Sequence, residues 1–252
     1  MATVQSVDRA LQILDILARD GEAGVTEIAG HLGVHKSTVS RLIDSLEARD
    51  LVEQHDARGK YRLGIGILRL AGATTARLDV VQEARSVAKA LAGATGETVN
   101  IAVLSDGAAL YVDQVATAGA MQSHNWVGQR IPLHATSNGK VLLAGLTDAE
   151  ARKVLGRRLA SYTTSTVTDV ATLLGQLGAV REEGYALVVD ELEQGLTAVA
   201  APIRNAHGDV LASFSVSGPT FRFTGAAVEK ATSAVVEHAL EVSRRLGWRG
   251  AG

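Results

Sequence analysis

The sequence predicts an α+β protein in three parts: an N-terminal winged helix-turn-helix over residues 1–73, a linker helix over 74–93, and a C-terminal α+β domain over 94–252. Three observations carry this. Apolar residues first recur at helical spacing in three short runs closed by a basic hairpin. A further helical run begins near Thr75, and from Thr98 the period changes to two, with strands and helices mixed to the end of the chain.

In the first part, Val7, Ala10, Leu11, Leu14, Leu17 and Ala18 follow a helical period with Ser6 as the expected cap, and the run stops at DGEAG. Thr26 is expected to cap a second helix with Ile28, Ala29 and Leu32 inward, and Gly33 to supply the tight turn after it. Val39, Leu42, Ile43 and Leu46 stripe a third helix, which turns His35, Lys36, Ser37, Thr38, Ser40 and Arg41 toward its open side. LVEQ at 51–54 and YRLG at 61–64 read as strands around HDARGK, a hairpin tipped by Arg58, Gly59 and Lys60. In such an arrangement the third helix enters the major groove and the wing lies along the backbone.

Leu78, Val81, Ala84, Arg85, Ala88 and Leu91 mark the linker helix, whose apolar face needs a partner in the next domain or in a second subunit. VNIAVL and YVDQVA then read as a strand pair turning at Asp106-Gly107. HATSNGKVLLAGL is a loop running into a helix with Ser137 and Asn138 in its first turn. TDAE at 147–150 is a capping box, and Thr168 is the expected cap of the helix through LLGQLGAVREEG. Strands follow at YALVVD, LTAVAAPI and DVLASFSV, then a terminal helix from about Thr224 to Leu246. Helices on one side of the sheet are the expected layering.

Composition narrows the function. The chain has 252 residues, 46% of them hydrophobic, and no cysteine, so disulfides, thiolate metal sites and cysteine nucleophiles are excluded. The N-terminus lacks the unbroken apolar run of a signal peptide and no segment approaches a membrane span, so the cytoplasm is the expected location. The net charge is -2, and residues 1–73 hold nine Lys/Arg against ten Asp/Glu. Nucleic-acid binding must therefore rest on placement, and the positive charge gathers in HKSTVSR at 35–41 and RGKYR at 58–62.

Lys36 and Arg41 suit phosphates or guanine edges, while Ser37, Thr38 and Ser40 are short enough to let the backbone approach. Arg58, Lys60 and Arg62 suit phosphate contacts or a minor-groove approach, with Arg62 also able to point back into the protein. Arg9 and Thr26 fit either backbone contact or plain solvation. One such domain makes little contact, so two copies on a near-palindromic duplex are expected.

These segments carry a resemblance. SVDRALQILDILA at 6–18, TEIAGHLGVHKSTVSRLIDSLEARDLVE at 26–53 and YRLG resemble the DNA-binding half of the IclR family of bacterial transcription regulators. ETVNIAVL at 97–104, IPLHATSNGK at 131–140, REEGYA at 181–186, VAAPI at 199–203 and SVSGP at 215–219 resemble its effector domain. The resemblance implies a GAF-like C-terminal domain, homodimers or dimers of dimers, and control of a catabolic operon by a small organic or aromatic acid. Repression relieved by the acid is the commoner behaviour; ligand-driven activation is the alternative. No cofactor or metal is implied.

The same resemblance places a ligand carboxylate at the backbone N–H groups of Ser137 and Asn138, opposite Ser215 and Ser217. Physically this suits a helix N-terminus facing two hydroxyls that leave one face of a strand. Where relatives that take small keto acids have an aspartate and a cysteine, this chain has Val188 and Ala198, so a less polar, roomier pocket and an acid with an aromatic or aliphatic body are expected. Trp126 is either an apolar plate of that pocket, with His124 beside it, or packing against the sheet or a partner. Arg130 reads as a surface residue beside a strand and His134 as a structural histidine.

Enzymatic readings fare worse. There is no GxSxG elbow, no HExxH and no dense His/carboxylate spacing, and RLGIGILRLAG lacks the third glycine and the βαβ setting of a dinucleotide fingerprint. A protein-interaction module of the same three helices remains, distinguished by its indifference to duplex DNA and salt.

Overall fold

The structure is a computed structural model that describes residues 4–55, 59–75, 79–117, 125–156 and 158–250, with the backbone alone at 71–75 and 79. The chain divides into two compact units, residues 1–77 and 78–252.

The first unit runs α1 (Gln5–Asp20), β1 (Ala23–Gly24), α2 (Val25–Leu32), α3 (Lys36–Glu47), β2 (Val52–Gln54), β3 (Lys60–Leu63) and α4 (Gly66–Thr75). Its core is Ile13, Ile16 and Leu17 of α1 against Ile28, Val39, Ile43 and Leu46. The inward face of α1 therefore differs from the expected one. It centres on Ile13 and Leu17, which leaves Val7 and Leu11 more than half exposed and Ala18 at the surface. Two expected caps also differ: Val4 precedes α1 and places Ser6 inside its first turn, while α2 starts after Gly24, whose N–H donates to Glu27 Oε2 at 2.7 Å. Thr26 is thus an exposed first-turn residue, and the acid three positions after the cap does the capping.

The wing forms as expected, with Val52 opposite Leu63 and Gln54 opposite Tyr61. It gains a third strand, β1, on the other edge of β3. Two residues are too few for alternation to betray a strand. The helix α4 occupies a stretch to which periodicity assigns no element. Its start explains the glycines of LGIG: a Cβ on Gly64 or Gly66 would strike the backbone of Asp50, which accepts from Gly66 N at 2.8 Å.

The second unit runs α5 (Asp79–Thr95), β4 (Thr98–Ser105), β5 (Ala108–Val115), β6 (Arg130–Ile131), α6 (Ser137–Ala144), α7 (Asp148–Leu155), α8 (Val170–Glu183), β7 (Ala186–Val189), β8 (Leu196–Arg204), β9 (Val210–Pro219) and α9 (Ala226–Arg245). The strands make one antiparallel sheet in the order β6-β5-β4-β9-β8-β7. Asp106 and Gly107 both take positive φ, 44° and 77°, the geometry a two-residue hairpin requires.

Helices cover both faces, not one. Val81, Ala84, Ala88 and Leu91 of α5 and Val235, Ala239 and Val242 of α9 pack on Val99, Ile101, Val199, Phe214 and Val216. On the opposite face, Leu142 and Leu143 of α6, Ala151 of α7 and Leu173 and Leu177 of α8 cover Ala102, Ala109 and Tyr111. The reason is visible in β4, where Thr98 to Ala102 are all buried, a pattern that needs a layer on each side. The helix expected as a linker is, from Asp79 onward, a core element of this unit. The expected cap Thr168 is replaced by Asp169, whose Oδ2 accepts from Thr172 N at 2.7 Å.

Gly64→Ala is expected to destabilise the first unit by about 1–3 kcal/mol through overpacking, whereas Gly30→Ala, with nothing within 4 Å of the added carbon, should be neutral or mildly stabilising. Denaturant unfolding of the two variants checks the contrast.

Candidate ligand cavity and nucleic-acid surface

On the first unit, His35 ends the turn after α2 and caps α3: its Nδ1 accepts from Ser37 N at 3.4 Å and lies 2.9 Å from Ser37 Oγ. Lys36, Ser37 and Arg41 are exposed on α3, while Thr38 and Ser40 are half-buried. Ser40 Oγ donates to Lys36 O at 3.2 Å, so this hydroxyl is already engaged. Thr26, Gly30, Gly33, His35 and Lys36 border one surface depression, which puts Thr26 beside the start of α3. Among the described residues Lys36 and Arg41 have no ion pair, and their charge is available to a phosphate.

The wing differs. Lys60 Nζ is 2.7 Å from Glu22 Oε1, and Arg62 is 2.6 Å from Glu53, its cross-strand partner. Both cations expected at phosphates are thus held by carboxylates of the same unit. Arg58 lies outside the described residues, as does His124.

On the second unit, a cavity of about 30 Å³, room for about two water molecules, opens between the start of α6 and the sheet. It brings together Trp126, Ser137, Val188, Ala198, Ser215 and Ser217 of the residues singled out from sequence. Val188 and Ala198 are register partners on β7 and β8, and Ala198 pairs with Ser217, so an apolar patch adjoins the two serines. Trp126, Tyr111, Leu192 and Leu196 also line the space, and the Tyr111 and Trp126 rings lie 6.3 Å apart.

Asn138 stands behind the cavity and does not line it. Its side chain is fully buried, with Nδ2 donating to Ser215 Oγ at 2.9 Å and Oδ1 accepting from Ser213 Oγ at 2.5 Å. Burial pushes the Tyr111 hydroxyl above the usual phenol range, an effect its hydrogen bond with Asn138 opposes. Thr136 caps α6 through Gly139 N at 3.1 Å, which leaves the N–H groups of Ser137 and Asn138 without intrahelical acceptors. Gly139 lets the helix lie against Leu133, since a Cβ there would meet the Leu133 backbone.

One turn into α6, the buried Lys140 donates to Glu191 Oε1 at 2.5 Å and Gln176 Oε1 at 2.9 Å. Desolvation lowers the Lys140 pKa, and the bond to Glu191 opposes that. Glu191 belongs to the segment carrying Leu192, and its carbonyl accepts from Thr166 Oγ1 at 2.6 Å, so this wall of the cavity is tied down. His134 is structural as expected, 2.8 Å from Ala160 O through Nε2. Arg130 clasps the β4–β5 turn through Asp106 and the Ser105 carbonyl.

Sequence reading missed Asn100, Tyr111, Ser213 and Leu192. Asn100 had a usable signal, a polar residue in an otherwise apolar strand, and it pairs with Ser215. Among the described residues, no cluster of His, Cys, Asp and Glu could hold a metal and no helix is long and apolar enough to cross a membrane.

A winged helix-turn-helix with unpaired cations on its third helix, followed by an α+β unit enclosing a serine-lined cavity, defines a transcription regulator with an effector-binding domain. Residues 72–244 match the family model described as the bacterial transcriptional regulator IclR C-terminal domain, and residues 6–56 match the IclR helix-turn-helix domain. The chain belongs to the IclR family. It is 33% identical over 250 residues, 98% of this chain and 99% of the other, to the HTH-type transcriptional regulator XynR of Escherichia coli. It is also 33% identical over 245 residues, 96% of this chain and 90% of the other, to the HTH-type transcriptional repressor AllR of Salmonella typhimurium. An IclR homologue from Microbacterium hydrocarbonoxydans, solved in complex with 4-hydroxybenzoate, superposes with a TM-score of 0.84 at 27% identity, covering 96% of this chain and 98% of that one. The family and these relatives are transcriptional regulators, not enzymes.

Removing one partner of the Lys140–Glu191 pair strands a buried charge. Lys140→Met and Glu191→Gln should each cost about 3–5 kcal/mol in denaturant unfolding, and the combined Lys140→Met/Glu191→Leu chain should recover most of that loss.

Proposed function

We propose that this protein is a repressor of a catabolic operon, relieved when a small organic or aromatic acid occupies the cavity at the start of α6. The observation that carries the reading is the pairing, in one chain, of exposed Lys36 and Arg41 on a recognition helix with an anion-suited helix start facing Ser215 and Ser217. The relative named a repressor supports the sign of the response, and the relative solved with 4-hydroxybenzoate supports an acid with an aromatic body. Val188 and Ala198 support it further, because neither offers a polar group to a very small keto acid.

The working form is a homodimer or dimer of dimers acting in the cytoplasm on near-palindromic double-stranded operator DNA. Val4, Val7 and Leu11 recur on one face of α1 and are 56–66% exposed, and Ile65 and Leu68 are each 66% exposed. A second copy packed on these faces would cover them. In the DNA complex Lys36, Ser37, Thr38 and Arg41 would face the major groove, with Thr26, His35 and Ser40 at its edge. Lys60 would exchange Glu22 for a phosphate, and Arg58 would share the wing contact.

Footprinting on DNA upstream of the coding region, with and without a panel of acids, tests the reading: protection in two half-sites that acid abolishes is expected, and protection that acid strengthens would reverse the sign. Lys36→Ala and Arg41→Ala should each weaken operator binding, and where the deleted cation neutralises a phosphate the salt slope should fall by about one. Unchanged affinity in both would remove the recognition helix from the interface.

A further inference from the structure

The cavity's hydrogen-bonding groups specify more of the ligand than its charge. Ser215 Oγ accepts from Asn138 Nδ2 at 2.9 Å and Ser217 Oγ accepts from Asn100 Nδ2 at 3.4 Å. Each hydroxyl thus has an amide N–H on its oxygen, and among the described residues neither donates its own proton to the protein. The two hydroxyl protons are therefore free to donate to a ligand, and each oxygen keeps only one lone pair to accept with. Asn100 also lines the cavity, is 3% exposed, and its carbonyl Oδ1 has no hydrogen-bond partner among the described residues. A buried carbonyl left unpaired is costly, and a ligand donor would relieve that cost.

We infer that Asn100 is a specificity-determining residue and that the effector is a hydroxy acid: a carboxylate received by Ser137, Ser215 and Ser217, and a hydroxyl that donates to Asn100 Oδ1. This rests on the effector reading above and narrows it. Tyr111, another polar side chain in the lining, interacts with Asn138 through its hydroxyl. Val188, Ala198 and Leu192 supply the apolar surface along the body of the molecule. A site that holds a hydroxyl through an otherwise unpaired group discriminates strongly against the analogue lacking it.

The test titrates the full-length protein calorimetrically with matched acids: benzoate with 3- and 4-hydroxybenzoate, and pentanoate with 2-hydroxy-, 5-hydroxy- and 2-oxopentanoate. At least one hydroxy acid should bind tenfold or more tighter than its parent. In Asn100→Leu, which keeps the bulk and removes the amide, the ratio of hydroxy-acid to parent-acid affinity should fall to about one, even if loss of the Asn100–Ser217 bond weakens both acids; a thermal melt reports whether the variant is folded. Should Asn100→Leu not fold, the wild-type ratios alone decide. Equal affinities within both series, a preference that survives Asn100→Leu, or tighter binding of 2-oxopentanoate than of either hydroxy form would overturn the inference while leaving an acid effector in place. Failure of every acid to bind would overturn the effector reading with it.

Discussion

The second unit depends on one amide. Asn138 is wholly buried at the start of α6 and spends both ends of its side chain on β9, giving to Ser215 and taking from Ser213. A buried amide without partners would be costly, so this clasp sets where the helix begins relative to the sheet. Everything polar in the cavity follows from that placement. Ser137 comes to line the cavity, the Ser215 oxygen is oriented by its bond to the amide, and Gly139 settles against Leu133 because no side chain intervenes. The Lys140–Glu191 pair then extends the same registration to the segment carrying Leu192.

The fold is legible in the sequence wherever periodicity runs long enough. Helix α3, the hairpin at Asp106-Gly107, the capping box at Thr147 and strands β7 to β9 stand where spacing and turn residues put them. What escapes does so for physical reasons. Strand β1 is two residues long, and helix α4 begins at a glycine pair whose spacing invites comparison with a phosphate fingerprint and hides a helix start. The expected face of α1 is wrong because Val7 and Leu11 belong to the helical period without being buried in this unit. At the cavity, residues on the quoted motifs are found readily. Tyr111 is not, and Asn100, though on a quoted motif, shows only as a polar residue among apolar neighbours; their nearness to Ser215 depends on strand order and register, which local pattern does not encode.

The size of the cavity bears on how a ligand would act. The free space between the side chains as they stand is narrow, about 30 Å³. Asn138, Ser213 and Ser215 are bonded to one another, so further room for a ligand would come from repacking of the apolar lining around Trp126 and Leu196. A ligand that binds only after such repacking has different affinities for two arrangements of the unit, which is the thermodynamic requirement for any effector. Helix α5 packs on the opposite face of the same sheet and directly precedes β4, so a shift in β4 or β9 reaches it through Val99 and Phe214.

The carboxylates on the wing carry a consequence for how the molecule searches a genome. With Lys60 paired to Glu22 and Arg62 to Glu53, a stray stretch of duplex would meet two wing cations that already hold acids. Docking there requires a phosphate to displace a tethered acid, an exchange worth making only where the third helix is seated as well. On the proposed reading, random chromosomal sequence would retain the protein weakly, and a small number of copies would still find the right promoter.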